Sequence, residues 1–412
     1  MRGSRAVPYK GRASTSSVGG FRSRRWLTKF KIELNYMRRT LTLCLLGTFL
    51  FLGNLASAED SRVDEVDDSR LRLGVIVPLS GPLAFFGNDF IRAYELVKAD
   101  HPEVDKAIRI YWEDSAYDSK QALLAFNKLV ASDKVDVVLS FGGPMLSVLA
   151  PVAEKKKVPF FATESDKRDC EGRAYCSLFR NEEDEWGQAT WILLRKLGKS
   201  HIGIVKNQNQ FMNTFVNAIV RTKNDKETAE ILLDIPPEMA DLRSSMLSLK
   251  SKKFDALGVY LLPTSHHGFL DAARSLPKTF LLFGVEQFLV KENNRGFEDF
   301  VEGALVVAPY ATQSYRDRFE RRYGHSAGLY FTPGFYDFIK LLADTITADK
   351  GLRGLELVNA LHFKGKREGI SGEYSVKVSK QGVHSYSFPI AVYKVSKDGI
   401  TVEDVINLGS SN

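Results

Sequence analysis

Cysteine is scarce in this chain: three in 412 residues, Cys44, Cys170 and Cys176. So few exclude a small disulfide-built scaffold and argue against clustered zinc sites. Long apolar runs are lacking too. A spanning helix takes roughly 20 consecutive apolar residues, and the uncharged apolar stretch from Thr40 to Gly53 falls short of that. A multi-spanning membrane protein is excluded. Catalytic signatures are also missing: no G-x-G-x-x-G follows a strand pattern and no H-E-x-x-H occurs. Gly198-Lys199-Ser200 resembles the end of a phosphate loop, but the opening glycine would stand at position 193, which is Leu193. His266 and His267 are adjacent, which on a helix turns them about 100° apart, and they read as surface polar residues. These patterns point to no enzyme and to no cofactor or metal.

Negative charge is nearly absent from the start of the chain. The whole sequence holds 57 basic and 50 acidic residues, a formal charge of +7. Eleven of the basic residues and only one acid, Glu33, fall within the first 58 positions, leaving 46 basic against 49 acidic residues and a charge of −3 for the rest. The basic character therefore belongs to a leader and implies no nucleic-acid partner. From Met37 the order is Met-Arg-Arg, the apolar run Thr40–Gly53, then Ala56-Ser57-Ala58. That is the layout of a signal peptide cleaved near Ala58, with an uncleaved N-terminal anchor as the alternative. Residues 1–36 then lie upstream of a start at Met37, and the product is exported to the periplasm. With Cys44 lost, Cys170 and Cys176 remain as an even pair, which in an oxidising compartment reads as a short-loop disulfide.

Residues 59–70 are acidic and polar, a flexible arm. Beyond it, β-branched and aromatic runs at Leu71–Val77, Ile108–Trp112, Val135–Leu139, Val158–Ala162, His201–Lys206, Ile231–Ile235, Ala256–Leu262, Phe280–Gly284 and Ala304–Ala308 predict strands buried on both faces. Amphipathic stretches separate them. In Ser119–Ser132, for example, Ala122, Leu123, Phe126, Leu129 and Val130 recur on one face. Other helices are expected at Asn88–Ala99, Met145–Lys156, Glu185–Leu197, Asn213–Lys223, Asp241–Lys252 and Ser265–Ser275. Alternation of this kind predicts an α/β fold of right-handed βαβ units. After Pro309 come two longer helices, Ser314–Tyr323 and Gly334–Ala348, and then β-like segments at Glu373–Val378 and Phe388–Val395. Nine parallel-type strands are many for one small sheet, so two lobes are expected.

The first strand ends in Pro78-Leu79-Ser80-Gly81-Pro82-Leu83-Ala84-Phe85-Phe86-Gly87, a turn and helix start where open α/β sheets receive ligands. SGPLAFFG is similar to the S-G-P-x-A-x-x-G signature of periplasmic solute-binding proteins of the branched-chain amino acid type, which serve ABC importers. YWEDSAYDSKQALLAFNKLV, SLFRNEEDEWGQ, IGIVKNQNQFMNTF and AARSL…LLFGVEQF resemble further stretches of that family in the same order, from about Leu71 to Val395. The resemblance implies a type I periplasmic-binding-protein fold: two Rossmann-like lobes joined by three hinge crossings, at Phe179-Arg180-Asn181, at Pro309-Tyr310 and near Tyr386–Pro389. Lobe 1 would span 71–180 and return over 309–386, and lobe 2 would span 181–308 with a C-terminal segment at 387–412.

The resemblance also implies a function: capture of a small amino-acid-like, amide or aromatic solute by lobe closure, and its delivery by a monomer to an inner-membrane permease. A ligand-sensing module for a separate signalling partner is the alternative. Carried over position by position, Phe86 and Phe211 become pocket walls, and Glu286 the carboxylate that pairs with a ligand ammonium. Ser80, Gly142, Gly143, Thr163 and Glu164 fall where the family grips an α-carboxylate. There the chain departs from the family, because Pro144 lacks an N–H, Met145 and Leu146 add apolar bulk, and Glu164 and Asp166 oppose an anionic head group.

Overall fold

A computed structural model describes residues 69–164, 166–274, 276 and 279–408. The leader, its cleavage site and most of the acidic arm lie outside the described residues. Fifteen strands follow in chain order: β1 Leu71–Val77, β2 Ile108–Asp114, β3 Val137–Ser140, β4 Phe160–Ala162, β5 Cys176–Leu178, β6 His201–Asn207, β7 Thr228–Ile235 and β8 Ala256–Tyr260, then β9 Leu281–Gly284, β10 Leu305–Pro309, β11 Lys366–Gly369, β12 Gly372–Val378, β13 His384–Ser387, β14 Ile390–Ser396 and β15 Gly399–Ile406. They form two sheets, one of order β11-β12-β13-β5-β4-β3-β1-β2 and one of order β15-β14-β10-β9-β8-β6-β7.

The nine strands expected from sequence are all present, each with a parallel partner. Four strands escape the sequence reading: β5, β11, β13 and β15. β5 has three residues, and β13 reads His-Ser-Tyr-Ser. β13 is nevertheless buried, because its hydroxyls are satisfied: Ser385 donates to Glu182 (3.0 Å) and Ser387 to Glu185 (2.7 Å). The expected helix Asp241–Lys252 is a short helix, Arg243–Leu247, followed by a 3₁₀ turn, Ser248–Ser251.

The helices of eight or more residues are α1 Ala84–Asp100, α2 Ser119–Ala131, α3 Gly143–Lys156, α4 Glu183–Lys196, α5 Gln210–Thr222, α6 Pro263–Ala273, α7 Gln313–Tyr323, α8 Pro333–Ala348 and α9 Gly354–Leu361. In α2 the Asp118 side chain caps the N-terminus through Lys120 N and Gln121 N, and Ala122, Ala125, Phe126 and Leu129 are its buried face. Among the described residues no helix is long and apolar enough to cross a membrane.

The chain passes between the sheets after β5, after β10 and between β13 and β14. Glu185, at the start of α4, gathers the first and third of these passages. Its carboxylate accepts from Asn181 Nδ2 (3.0 Å) and Ser387 Oγ (2.7 Å) and pairs with Lys377, while Asn181 also donates to the Phe388 carbonyl (2.9 Å).

Cys170 and Cys176 are bonded, closing a loop with a sequence separation of 6 between a 3₁₀ turn and β5. A loop this short constrains the unfolded chain modestly, so replacing both cysteines by serine is expected to cost about 2 kcal/mol. Urea denaturation of parent and double variant, each with and without reductant, checks this, since reductant should then move only the parent.

Candidate functional site

The S-G-P turn and the Glu113-Asp114 turn, read separately in the sequence, are one hydrogen-bonded unit. Asp114 Oδ1 accepts the backbone N–H groups of Leu79 (2.7 Å), Ser80 (3.2 Å) and Ala116 (2.7 Å). Burial alone would raise the Asp114 pKa, but these bonds and the Ser80 hydroxyl outweigh it and hold the carboxyl below its ordinary value. Ser80 itself is exposed, and its N–H is spent on Asp114. The turn delivers α1, whose first residues include Phe86 and Gly87. A Cβ on Gly87 would stand 2.0 Å from the Pro78 carbonyl oxygen, so only glycine lets the helix start this close to the end of β1.

Phe86 opens onto a narrow cavity between the lobes. Its lobe 1 wall is made by Leu83, Phe86, Tyr117, Phe141 and Phe331, and its lobe 2 wall by Phe211, Met212, Leu262, Glu286 and Gln287. Arg180, on the first crossing, completes it. The lobe 1 rings pack on one another, with centroids 5.3 Å apart for Phe86–Phe141 and 4.6 Å for Phe86–Phe331. Phe211 is fixed at the N-terminus of α5, where the Asn209 side chain caps the Phe211 N–H (2.9 Å), and its ring packs edge-on against Phe215 (4.8 Å).

Arg180 and Glu286 are both buried, 6% exposed each. The guanidinium lies against Trp186, Phe211 and Phe215 at 5.1, 5.7 and 5.8 Å from their ring centres. Its Nη2 is 3.6 Å from Glu286 Oε1, within reach of the charge but beyond a hydrogen bond. Arg180 Nε and Nη2 are buried without a hydrogen-bond partner. Burial pushes the Glu286 carboxyl above its ordinary pKa, against the pull of the Arg180 charge. The cation beside Glu286 is thus already supplied by the chain itself.

The remaining sequence-derived positions lie around this cavity. Thr163 Oγ1 donates to the Ser140 carbonyl (3.2 Å) and lines an adjoining cavity that shares Arg180 and Phe331 with the first. Gly142 takes a φ of +109° between Tyr117 and Met145 and starts α3. Next to it, the Cβ position of Gly143 is 3.5 Å from Gln210 and 3.6 Å from Glu164. Glu164 is buried, and burial together with its charge pushes the Tyr117 hydroxyl pKa up. Gln210 Nε2 donates to Ser147 Oγ (3.1 Å) and His325 Nε2 meets the Leu289 carbonyl (2.7 Å), two polar contacts from lobe to lobe. Phe86, Phe211 and Glu286 therefore share one cavity with Arg180, whereas Ser80, Gly142, Gly143, Thr163 and Glu164 do not line it.

Two other features bear on the chemistry. Gly324-His325-Ser326-Ala327-Gly328 has the G-x-S-x-G spacing of a hydrolase nucleophile elbow. It joins α7 to a 3₁₀ turn with no preceding strand, and the Ser326 hydroxyl bonds Asp89 and caps the Gly328 N–H. That serine is structural. His266 corrects the sequence reading of the histidine pair: it is fully buried, its Nε2 3.2 Å from Asn294 Oδ1 and its ring edge-on to Phe288, while His267 is exposed. On α6 it stands in phase with the buried Phe269, Leu270 and Ala273.

The arrangement is a two-walled aromatic cavity with one buried charge pair, suited to enclosing a small molecule. The family model of periplasmic binding proteins matches residues 70–399. No curated protein sequence matches the chain. Among solved structures it resembles the leucine-binding protein LivK of Thermotoga maritima, with a TM-score of 0.71 at 17% identity over 83% of this chain and 100% of that one. It also resembles an ABC-transporter solute-binding protein of Rhodopseudomonas palustris BisB5 in complex with 3,4-dihydroxybenzoic acid (TM-score 0.69, 19% identity, 82% of this chain and 97% of that one). A third is the branched-chain amino acid transporter substrate-binding protein LivJ of Streptococcus pneumoniae in complex with isoleucine (0.68, 15%, 82% and 99%). At these identities the likenesses establish a shared two-lobed fold. With most of its length covered by the family model, and with that fold, the chain belongs to the periplasmic binding protein family.

Proposed function

We propose that this protein is exported to the periplasm and captures a small amino-acid-like, amide or aromatic solute between its lobes. It releases the solute unchanged to the inner-membrane permease of an ABC importer. Residues 37–58 act as the signal peptide, cleaved near Ala58, and the protein works as a monomer. One observation carries this reading: a single cavity is walled by side chains of both lobes and completed by a residue of the connection between them. A solute touching both walls favours the closed arrangement by its differential contacts, which is binding by population shift with no chemical step. The solutes bound in the similar structures, isoleucine and a hydroxylated benzoic acid, lie within the proposed range.

A thermal-shift panel of amino acids, amides, polyamines and aromatic acids tests it. A solute present at a hundred times its Kd is expected to stabilise the protein by about 2.7 kcal/mol, and to be recovered intact after incubation. No shift with any class, or chemical turnover of the solute that binds, contradicts the reading.

A further inference from the structure

We propose, resting on the solute-binding reading above, that the solute is an aromatic monocarboxylate whose carboxylate is received side-on by the Nε and Nη2 of Arg180, its ring lying between the walls that carry Phe86 and Phe211.

The first argument is an internal comparison. Arg195 meets Glu227 through Nε (2.6 Å) and Nη2 (3.0 Å), and Arg243 meets Asp241 through Nε (3.0 Å) and Nη2 (2.6 Å). Arg168 uses the same two nitrogens on Asp166. These two N–H groups point in parallel and match the two oxygens of a carboxylate. In Arg180 the same two nitrogens have no hydrogen-bond partner, although its side chain is far more buried than the other three, at 8% exposed against 44% for Arg195 and 73% for Arg243 and Arg168. A buried guanidinium left with unused donors is costly, and a ligand carboxylate removes that cost.

The second argument is charge. Glu286, 3.6 Å away, neutralises Arg180 without taking its hydrogen bonds. An ammonium-bearing ligand would have to approach Glu286 beside the guanidinium, against like charge. A ligand with one carboxylate and no cation meets the donor edge, with only the neighbouring Glu286 charge opposing it. The third argument is shape and polarity: Phe86, Phe141, Phe211 and Phe331 line the same space, which suits a flat apolar body.

Isothermal titration of the full chain with benzoate, benzamide, benzylamine, cyclohexanecarboxylate, phenylalanine and leucine decides it. Benzoate is expected to bind tightest. Benzamide is expected to be weaker by about a hundredfold, having lost the charged acceptor, cyclohexanecarboxylate to fall between them, and benzylamine not to bind. Arg180→Gln should weaken benzoate about a hundredfold. Should that variant not fold, Glu286→Gln still discriminates: relief of repulsion tightens benzoate severalfold, whereas a site built for an ammonium would lose its amino acid. Binding of leucine or phenylalanine in preference to benzoate, or loss of affinity in Glu286→Gln, overturns the carboxylate assignment and leaves the binding function standing. Failure of all six, together with silence in the wider thermal-shift panel, removes the binding function as well.

Discussion

Replacing Gly87 by alanine is expected to cost the folded protein on the order of 3 kcal/mol, the upper range for overpacking a tight site. The added methyl would lie 2.0 Å from the Pro78 carbonyl oxygen and 2.8 Å from Leu79 Cδ2. Leu79 could rotate, but the carbonyl belongs to the backbone leaving β1, and the next turn is pinned through the Leu79 and Ser80 N–H groups to Asp114. Either α1 moves off the sheet or that turn breaks. Helix propensity works the other way, since alanine is favoured over glycine by about 1 kcal/mol inside a helix, and the steric cost exceeds it. Phe86 precedes Gly87, so the cavity wall shifts and solute affinity falls with stability. Gly81→Ala is the control. Its φ is +77° but nothing lies within 4 Å of its Cβ position, so only the left-handed backbone cost of about 1 kcal/mol applies. Urea midpoints that coincide for the two variants would show that the contact at Gly87 is relieved cheaply.

Acidification is expected to destabilise the protein through His266. Burial lowers its pKa from 6.5 to about 4, against the Asn294 hydrogen bond and with a smaller push from His267. Because the folded value lies below the unfolded one, the unfolded chain takes the proton first. The stability is complete above pH 6.5 and is lost as pH falls toward the folded value, by about 2 kcal/mol at pH 5 and about 3 kcal/mol by pH 4. His362 has the same sign, held at about 3 by burial and by the stacked His384. Asp337 has the opposite sign: burial, against hydrogen bonds from Ser371 and Ile370, raises it from 3.8 to about 6, so the folded state gains as pH falls through that range. The net slope mixes these, and the difference between parent and His266→Gln isolates one of them. Glutamine keeps a donor toward Asn294 and does not titrate. Urea unfolding at pH 7 and pH 5 should show the parent losing about 2 kcal/mol more than the variant, whereas parallel losses would mean that His266 titrates near its ordinary value.

Much of the fold was legible because strands buried on both faces advertise themselves, as β1, β3, β4 and β8 do with every or nearly every position buried. β5 and β13 were not, since three residues carry no period and the serines of β13 are buried only because Glu182 and Glu185 receive them. The cavity was half legible. Phe86, Phe211 and Glu286 lie in stretches whose order resembles a family. Arg180 lay in one of those stretches too, yet its place in the cavity depends on Glu286 and Phe211, far away in sequence. Phe331 comes from the segment that returns to lobe 1, where no local pattern marks it. His266 shows the reverse failure. The spacing of His266 from Phe269, Leu270 and Ala273 is that of a buried helix face, so adjacency to His267 was the weaker signal. For Gly324–Gly328 only the missing strand before it distinguishes an elbow from a helix connection.

Arg180 stands on the first passage between the sheets, which gives it a kinetic role distinct from that of the rings. Phe86 belongs wholly to one lobe and Phe211 to the other, so any rotation of the lobes changes the gap between them. A residue on the connection is displaced least by the same rotation. On the carboxylate proposal above, the guanidinium is expected to meet the solute first as the lobes open and close, with the two phenylalanines closing on it afterwards. Changes at Arg180 will then appear in the rate of capture and its dependence on salt, and changes at Phe86 or Phe211 in the time the solute stays.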